Sequence, residues 1–205
     1  MDHRYAILID GAFFTRKLYS KLKRSPSVDD VLDAIGEIKN NGLVKEYELL
    51  RTYYYDAHPA TGKLTHPISG EVLNLGETEV FNRNKAFLQS LELKSDISLR
   101  AGELSPQGWK LTRRALEDNS LGKRHLAAND FIPDIEQKGV DLRIGLDIAR
   151  LSLRQLVRTI VVVTGDSDFI PAFKFARREG IRVILAHMGH GVKRELKVHT
   201  DAIVE

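Results

Sequence analysis

Tyr5 to Ile9 form a short unbroken apolar run closed by Asp10-Gly11, after which Phe14, Leu18 and Leu22 recur at helical spacing. The pattern predicts a strand, a turn and a helix. Ser27 is placed to cap a second helix, whose Val28, Val31, Leu32, Ile35 and Ile38 make one apolar stripe that stops at Asn40-Asn41-Gly42. The aromatic, β-favouring segment from Tyr47 predicts a second strand ending near Asp56. Residues 58–78 are punctuated by Pro and Gly without a sustained period, which predicts an inserted hairpin or lid before a helix around Asn82 to Leu91.

Ile97 to Leu104 has strand character, with Trp109 to Leu111 as a candidate partner, and 105–130 is expected to be an irregular insertion. Phe131 to Ile135 is strand-like. From Gly139 onward, Leu142, Leu146, Ala149, Leu153 and Leu156 recur at three- and four-residue intervals, the signature of an amphipathic helix. Ile160 to Val163 is a β-branched run without polar alternation, as in a strand covered on both faces. A helix over FIPAFKFARREG and a strand over IRVILA follow. Strands alternating with helices imply right-handed crossovers, hence an α/β three-layer sandwich around a mainly parallel sheet, organised as a single domain with insertions.

Such sheets place their sites beyond the carboxyl ends of the strands. Asp10 follows the first strand and Asp166 follows the late buried one, so both are expected on that edge. Asp168 directly precedes FIPAF, where Asp is a favoured helix N-cap and Pro171 is tolerated in the first turn. That role does not exclude metal binding. Asp141 stands in a helical first turn, where the dipole favours a carboxylate. Asp147 lies six residues on, roughly 120° round the same helix, between Leu146 and Ile148; a surface charge is its plainer reading.

If Asp10, Asp141 or Asp147, Asp166 and Asp168 converge, two like charges about 4 Å apart cost roughly 4 kcal/mol at an effective dielectric of 20, so a cation must neutralise them. With no Cys and no patterned His, an all-oxygen set selects Mg²⁺ or Mn²⁺ and points to metal-assisted phosphodiester hydrolysis.

Composition narrows the partners. The 205 residues are 42% hydrophobic and contain no Cys, which fits a cytoplasmic domain with its own core and excludes disulfides and thiolate chemistry. No run approaches a membrane span. The formal net charge is only +3, so attraction to nucleic acid depends on clustering. Lys17, Lys21 and Arg24 recur along the first helix with Arg16 and Lys23 beside them, and Arg113-Arg114, Lys123-Arg124 and Lys193-Arg194 add pairs. Of these, Arg16, Lys17, Lys21, Arg24, Lys193 and Arg194 are the candidate RNA contacts; a solvated helix face is the alternative. Tyr53, Tyr54 and Trp109 are candidate base-stacking rings, or core. His187 and His190, in AHMGHG, are placed in a loop after the last long strand and lack zinc spacing.

Three blocks, ILIDG at Ile7 to Gly11, KGVDLRIGLDIARL at Lys138 to Leu151 and VVVTGDSDFIPAFKFARREGIRVI at Val161 to Ile184, resemble the NYN domain family in order. This family is a branch of the PIN-like nucleases that includes LabA-like bacterial proteins. TGDSDFIP is the most specific block, and Tyr53 to Asp56 also resembles the family's second strand. The resemblance implies a PIN-like sandwich and a divalent-metal ribonuclease site carried onto Asp10, Asp141, Asp147, Asp166 and Asp168, with Asp10, Asp147, Asp166 and Asp168 as metal ligands.

Phe13 stands where the family often has Asn, which removes one polar ligand and keeps open an RNA- or protein-binding module without turnover. A HAD-type phosphatase is disfavoured because Ala12 stands where its second Asp is required. Dinucleotide binding lacks G-x-G-x-x-G after the first strand. Oligomeric state is left open.

Overall fold

The computed structural model describes residues 3–120 and 125–204; Lys123 and Arg124, proposed above as a basic pair, lie outside them. The chain divides by its internal contacts into two compact units, one of residues 1–56, 87–102 and 139–205, the other of 57–86 and 103–138.

The first unit begins with β1 (Arg4–Asp10), whose Tyr5 to Ile9 are all buried, and passes directly into α1 (Gly11–Leu22). Next is α2 (Val28–Lys39), opened by a reciprocal capping box between Ser27 and Asp30 and buried along Val31, Ala34, Ile35 and Ile38. The strands β2 (Glu48–His58), β7 (Thr159–Val163), β8 (Arg182–Ala186) and β9 (Ala202–Val204) complete its parallel sheet. β1 pairs in parallel with β2 and β7, β7 with β8, and β8 with β9. Alternation along the strands sends Ile7, Ile9, Val161, Val163 and Ile184 into one cluster with Phe14, Leu18 and Ile35 of α1 and α2. On the other face, α6 (Ile170–Arg178) packs on β8 and against α5 (Val140–Leu153).

The seven-stranded order among the described residues is β6-β5-β2-β1-β7-β8-β9, where β5 is Ile97–Leu111 and β6 is Phe131–Lys138. β5 begins in the first unit, and its second half, which pairs antiparallel with β6, belongs to the second. Here the structure departs from the expected irregular insertion. Ser105 to Leu111 continue one strand, and the Pro106-Gln107-Gly108 punctuation is absorbed as a register shift with Gly108 at φ +113°. Helix α4 (Arg113–Ser120) follows.

Within the second unit, β3 (Lys63–Thr65) pairs antiparallel with β4 (Val72–Asn74). In their turn, His66 accepts from the Ile68 and Ser69 backbone N–H groups at Nδ1, and its ring meets Trp109 and Phe131 edge-on. α3 (Glu79–Glu92) runs from this unit into the first. No helix among the described residues is long and apolar enough to cross a membrane.

The face of α5 also differs from expectation. The helix forms, but it buries Val140, Ile144, Ile148 and Leu151, while Leu142, Leu146 and Leu153 are 67%, 60% and 63% exposed. Two apolar sets share the same three-and-four spacing on opposite sides of this helix. The one with the β-branched residues faces the protein.

Candidate active site

Asp10 ends β1 and is the N-cap of α1, where its Oδ1 accepts from the Phe13 backbone N–H at 3.1 Å. Beside it, β7 ends at Val163 and leads into Thr164-Gly165-Asp166. Thr164 is fully buried; its hydroxyl accepts from the Asp166 N–H at 3.1 Å and stands 3.5 Å from Asp10 Oδ2. This threonine, which sequence reasoning quoted without assigning a role, links the ends of the two strands.

Asp166 is itself a cap. A 3₁₀ turn over Ser167–Phe169 precedes α6, and Asp166 Oδ1 accepts from the Asp168 N–H at 2.9 Å. The expectation that Asp168 caps α6 is therefore corrected: the intervening turn moves the capping position back by two residues, and α6 starts from Phe169 without a side-chain cap. The Asp168 carboxylate is left free of that duty.

Electrostatics ties these groups together. Burial holds the Asp10 carboxyl above the usual carboxylate range; the Phe13 N–H opposes this, Asp141 adds to it, Arg16 opposes it and Asp166 adds again. Asp141, in the first turn of α5, is also raised, by burial and then by Asp166 and Asp168. Asp10, Asp141, Asp166 and Asp168 thus form one mutually repelling set at the carboxyl edge of the sheet. Asp56 joins its surroundings from the end of β2: a Cβ placed on Gly11 would lie 2.9 Å from Asp56 Oδ2. Sequence reasoning noted Asp56 only as a strand end. Its signal was the parallel partner position, since Asp10 pairs with Tyr55.

Asp147 is engaged elsewhere. Its Oδ2 accepts from the Tyr55 hydroxyl at 2.9 Å and stands 3.2 Å from Arg100 Nε, and that guanidinium lies 5.3 Å above the Tyr53 ring. Burial and then the neighbouring Asp147 carboxylate push the Tyr55 hydroxyl far above its ordinary range. Tyr55→Phe should cost about 2 kcal/mol in urea unfolding, because it removes a hydrogen bond to a part-buried charge. An unchanged midpoint would mean that Arg100 alone satisfies Asp147.

The expected basic contacts are mostly occupied. Arg16 Nε donates to the Ala12 carbonyl, Lys21 stands 3.9 Å from Glu37, and Arg24 grips Asp30 through two bonds of 2.6 and 2.7 Å. Lys193 Nζ lies 3.5 Å from Ser167 Oγ, and Arg194 opens α7 (Arg194–Val198). Lys17 Nζ donates to His190 Nδ1 at 2.8 Å, which leaves the proton of a neutral ring on Nε2. His190 meets Phe13 edge-on, and both rings would collide with a Cβ on Gly165 at 2.6 Å. Phe13, 6% exposed, therefore fills the place beside Asp10 with an aromatic edge in place of a ligand.

Among the described residues, no three carboxylates or imidazoles stand close enough to hold one ion directly. The donor chemistry still suits Mg²⁺ or Mn²⁺: oxygen-only, negatively charged and partly buried, for ions held through one or two carboxylates with waters retained. Tyr54 adds a buried hydroxyl without a partner, within electrostatic reach of Asp56 and Asp10.

Comparison with known proteins agrees with the sequence blocks. A curated relative, an uncharacterized protein of Methanocaldococcus jannaschii, is 31% identical over 75 residues; the match covers 37% of this chain and 31% of that protein's length. A crystal structure of a protein of unknown function from Vibrio parahaemolyticus superposes with a TM-score of 0.51 at 13% identity, covering 99% of this chain and 92% of the other, a likeness of fold. The NYN domain model matches residues 4–204, so the chain belongs to the NYN domain family and, through it, to the PIN-like nuclease superfamily.

Proposed function

We propose that the protein is a Mg²⁺- or Mn²⁺-dependent ribonuclease hydrolysing phosphodiester bonds at the carboxyl edge of its sheet. The observation that carries this reading is the mutual repulsion of Asp10, Asp141, Asp166 and Asp168, with Asp10 and Asp141 both raised in the metal-free protein. Such a set costs stability unless a cation completes it. When bound, a divalent cation neutralises phosphate charge and activates water.

In this reading Asp10 and Asp166 are the principal anchors, because capping bonds fix both carboxylates and Thr164 ties them together. Asp141 and Asp168 add negative charge and accept from retained waters. Asp147, assigned to the metal on sequence resemblance, acts by holding Tyr55 and Arg100 next to the Asp10 strand. In the reaction the water oxygen bonds to phosphorus, the ester P–O bond breaks, and the leaving alcohol takes up a proton.

The test is cleavage of labelled single-stranded and structured RNAs, with matching DNAs, in Mg²⁺ or Mn²⁺ and in chelator. The expected result is RNA cleavage that chelator stops. RNA retention without cleavage under any metal would favour the binding module without turnover, for which Phe13 beside Asp10 is the specific observation.

A further inference from the structure

The strands of the first unit run parallel, so the aspartates gather at one edge of the sheet and the opposite, amino edge has different chemistry. There Arg4 begins β1, Arg158 immediately precedes β7 and Arg182 begins β8. The backbone stitches them side by side: the Arg158 N–H donates to the Arg4 carbonyl and the Arg182 N–H to the Arg158 carbonyl, both at 2.9 Å. At the spacing of neighbouring strands this row extends about 10 Å. It continues into an open pocket of ≈ 790 Å³ lined by Lys174, Arg177, Arg178, Arg182 and Asp201, where α6 ends and β8 begins.

Four cations thus face one carboxylate in the pocket, and that carboxylate is already used. Asp201 stands 3.0 Å from Arg177 Nε and accepts from the Val183 N–H at 2.8 Å. Arg177 also contacts the Val198 carbonyl at 3.4 Å. Lys174, Arg178, Arg182, Arg158 and Arg4 have no ion pair among the described residues. On α1, by contrast, Lys17, Lys21 and Arg24 are each engaged by a neighbouring side chain.

We propose that this amino edge is a second RNA-binding site, in which unpaired guanidinium and ammonium groups hold backbone phosphates. The proposal rests on the reading of the chain as acting on RNA. Guanidinium forks are weakly hydrated and match phosphate oxygens bidentately. A row about 10 Å long beside an open pocket suits successive phosphates of a strand better than a single small anion. The position also answers an electrostatic need. A metal-free aspartate edge repels a polyanion, and the five residues of β7 put the two edges about 15 Å apart, beyond the screening length at physiological salt. Attraction at the amino edge therefore survives the repulsion at the other.

The test is binding of a fluorescein-labelled oligouridylate to the full chain, by anisotropy across a salt series in chelator, so that no cleavage intervenes. Lys174→Gln/Arg178→Gln, two exposed positions whose replacement spares the core, should weaken binding and make the log–log salt slope shallower by about 1.4, at about 0.7 per phosphate released. Arg158→Gln should do the same by about half as much. An unchanged slope in both variants overturns the site and returns these residues to a solvated face. Binding of pyrophosphate at the pocket without binding of the oligouridylate also overturns it, in favour of a small-anion site. Asp10→Asn separates the two readings: it should leave the slope intact while cleavage in Mn²⁺ is lost. Cleavage that survives Asp10→Asn overturns the nuclease reading, whereas the slope measured in chelator still decides the second site.

Discussion

Asp10→Asn should raise the melting temperature of the metal-free protein and at the same time abolish metal-dependent cleavage. Asn keeps the cap, since it is as good an N-cap as Asp and can still accept from the Phe13 N–H. What it removes is the charge that burial, Asp141 and Asp166 all disfavour. Asp166→Asn should behave alike, because its bond from the Asp168 N–H also survives the exchange.

The pH dependence has a definite sign. Between the ordinary carboxylate value of 3.8 and the raised value in the fold, folded Asp10 holds a proton that the unfolded chain has lost. Stability therefore falls as pH rises through that window and stays lower above it; Asp141 acts in the same direction. Asp10→Asn should flatten this fall in a series of thermal melts. Mn²⁺ should stabilise the wild type by mass action, about 2.7 kcal/mol at a hundred times its dissociation constant, and the Asn variant by less. If Asp10→Asn melts below wild type without metal and both respond equally to Mn²⁺, the carboxylate serves the backbone alone and the nuclease reading loses its physical basis.

Local chemistry made part of this site legible. Ile7 to Ile9 and Ile160 to Val163 are uninterrupted apolar runs, so the strands and the polar residues that end them, Asp10 and Asp166, could be read from the chain. Ser27 announced α2 because a capping box is local. What failed depended on partners far along the chain or on a choice between equal periods. Nothing near Asp147 reveals that Tyr55, 92 residues away, donates to it. The two apolar stripes of α5 fit the helical period equally well, and only packing selects Ile144 and Ile148 over Leu142 and Leu146. Pro106 and Gly108 hid the continuity of β5 because a bulge within a strand carries the same residues as a turn that ends one. The arginine row was invisible for a simpler reason: Arg4, Arg158 and Arg182 become neighbours only through parallel pairing.

Gly11→Ala should be among the most damaging single substitutions in the first unit, although it adds one methyl group to a helix start. A Cβ there would lie 2.6 Å from the Tyr55 carbonyl oxygen, 2.7 Å from Tyr54 Cε1 and 2.9 Å from Asp56 Oδ2. None of the three can give way easily. The carbonyl belongs to β2, Tyr54 is fully buried against Phe14 and Phe87, and Asp56 is fixed by the strand that carries it. Overpacking of this kind costs about 3 kcal/mol at the upper end of the usual range, a fall of about 10 °C in melting temperature for a chain of this size. Relief requires α1 to move away from β2, and Asp10, the cap of α1, must move with it, so cleavage should fall together with stability. Gly36→Ala is the matched control: Gly36 lies inside α2 with nothing within 4 Å of the added Cβ, and the exchange should stabilise by about 0.4–1 kcal/mol. Equal urea midpoints for the two variants would show that the Gly11 crowding relaxes freely, and that the close approach of α1 to β2 does not hold Asp10 in place.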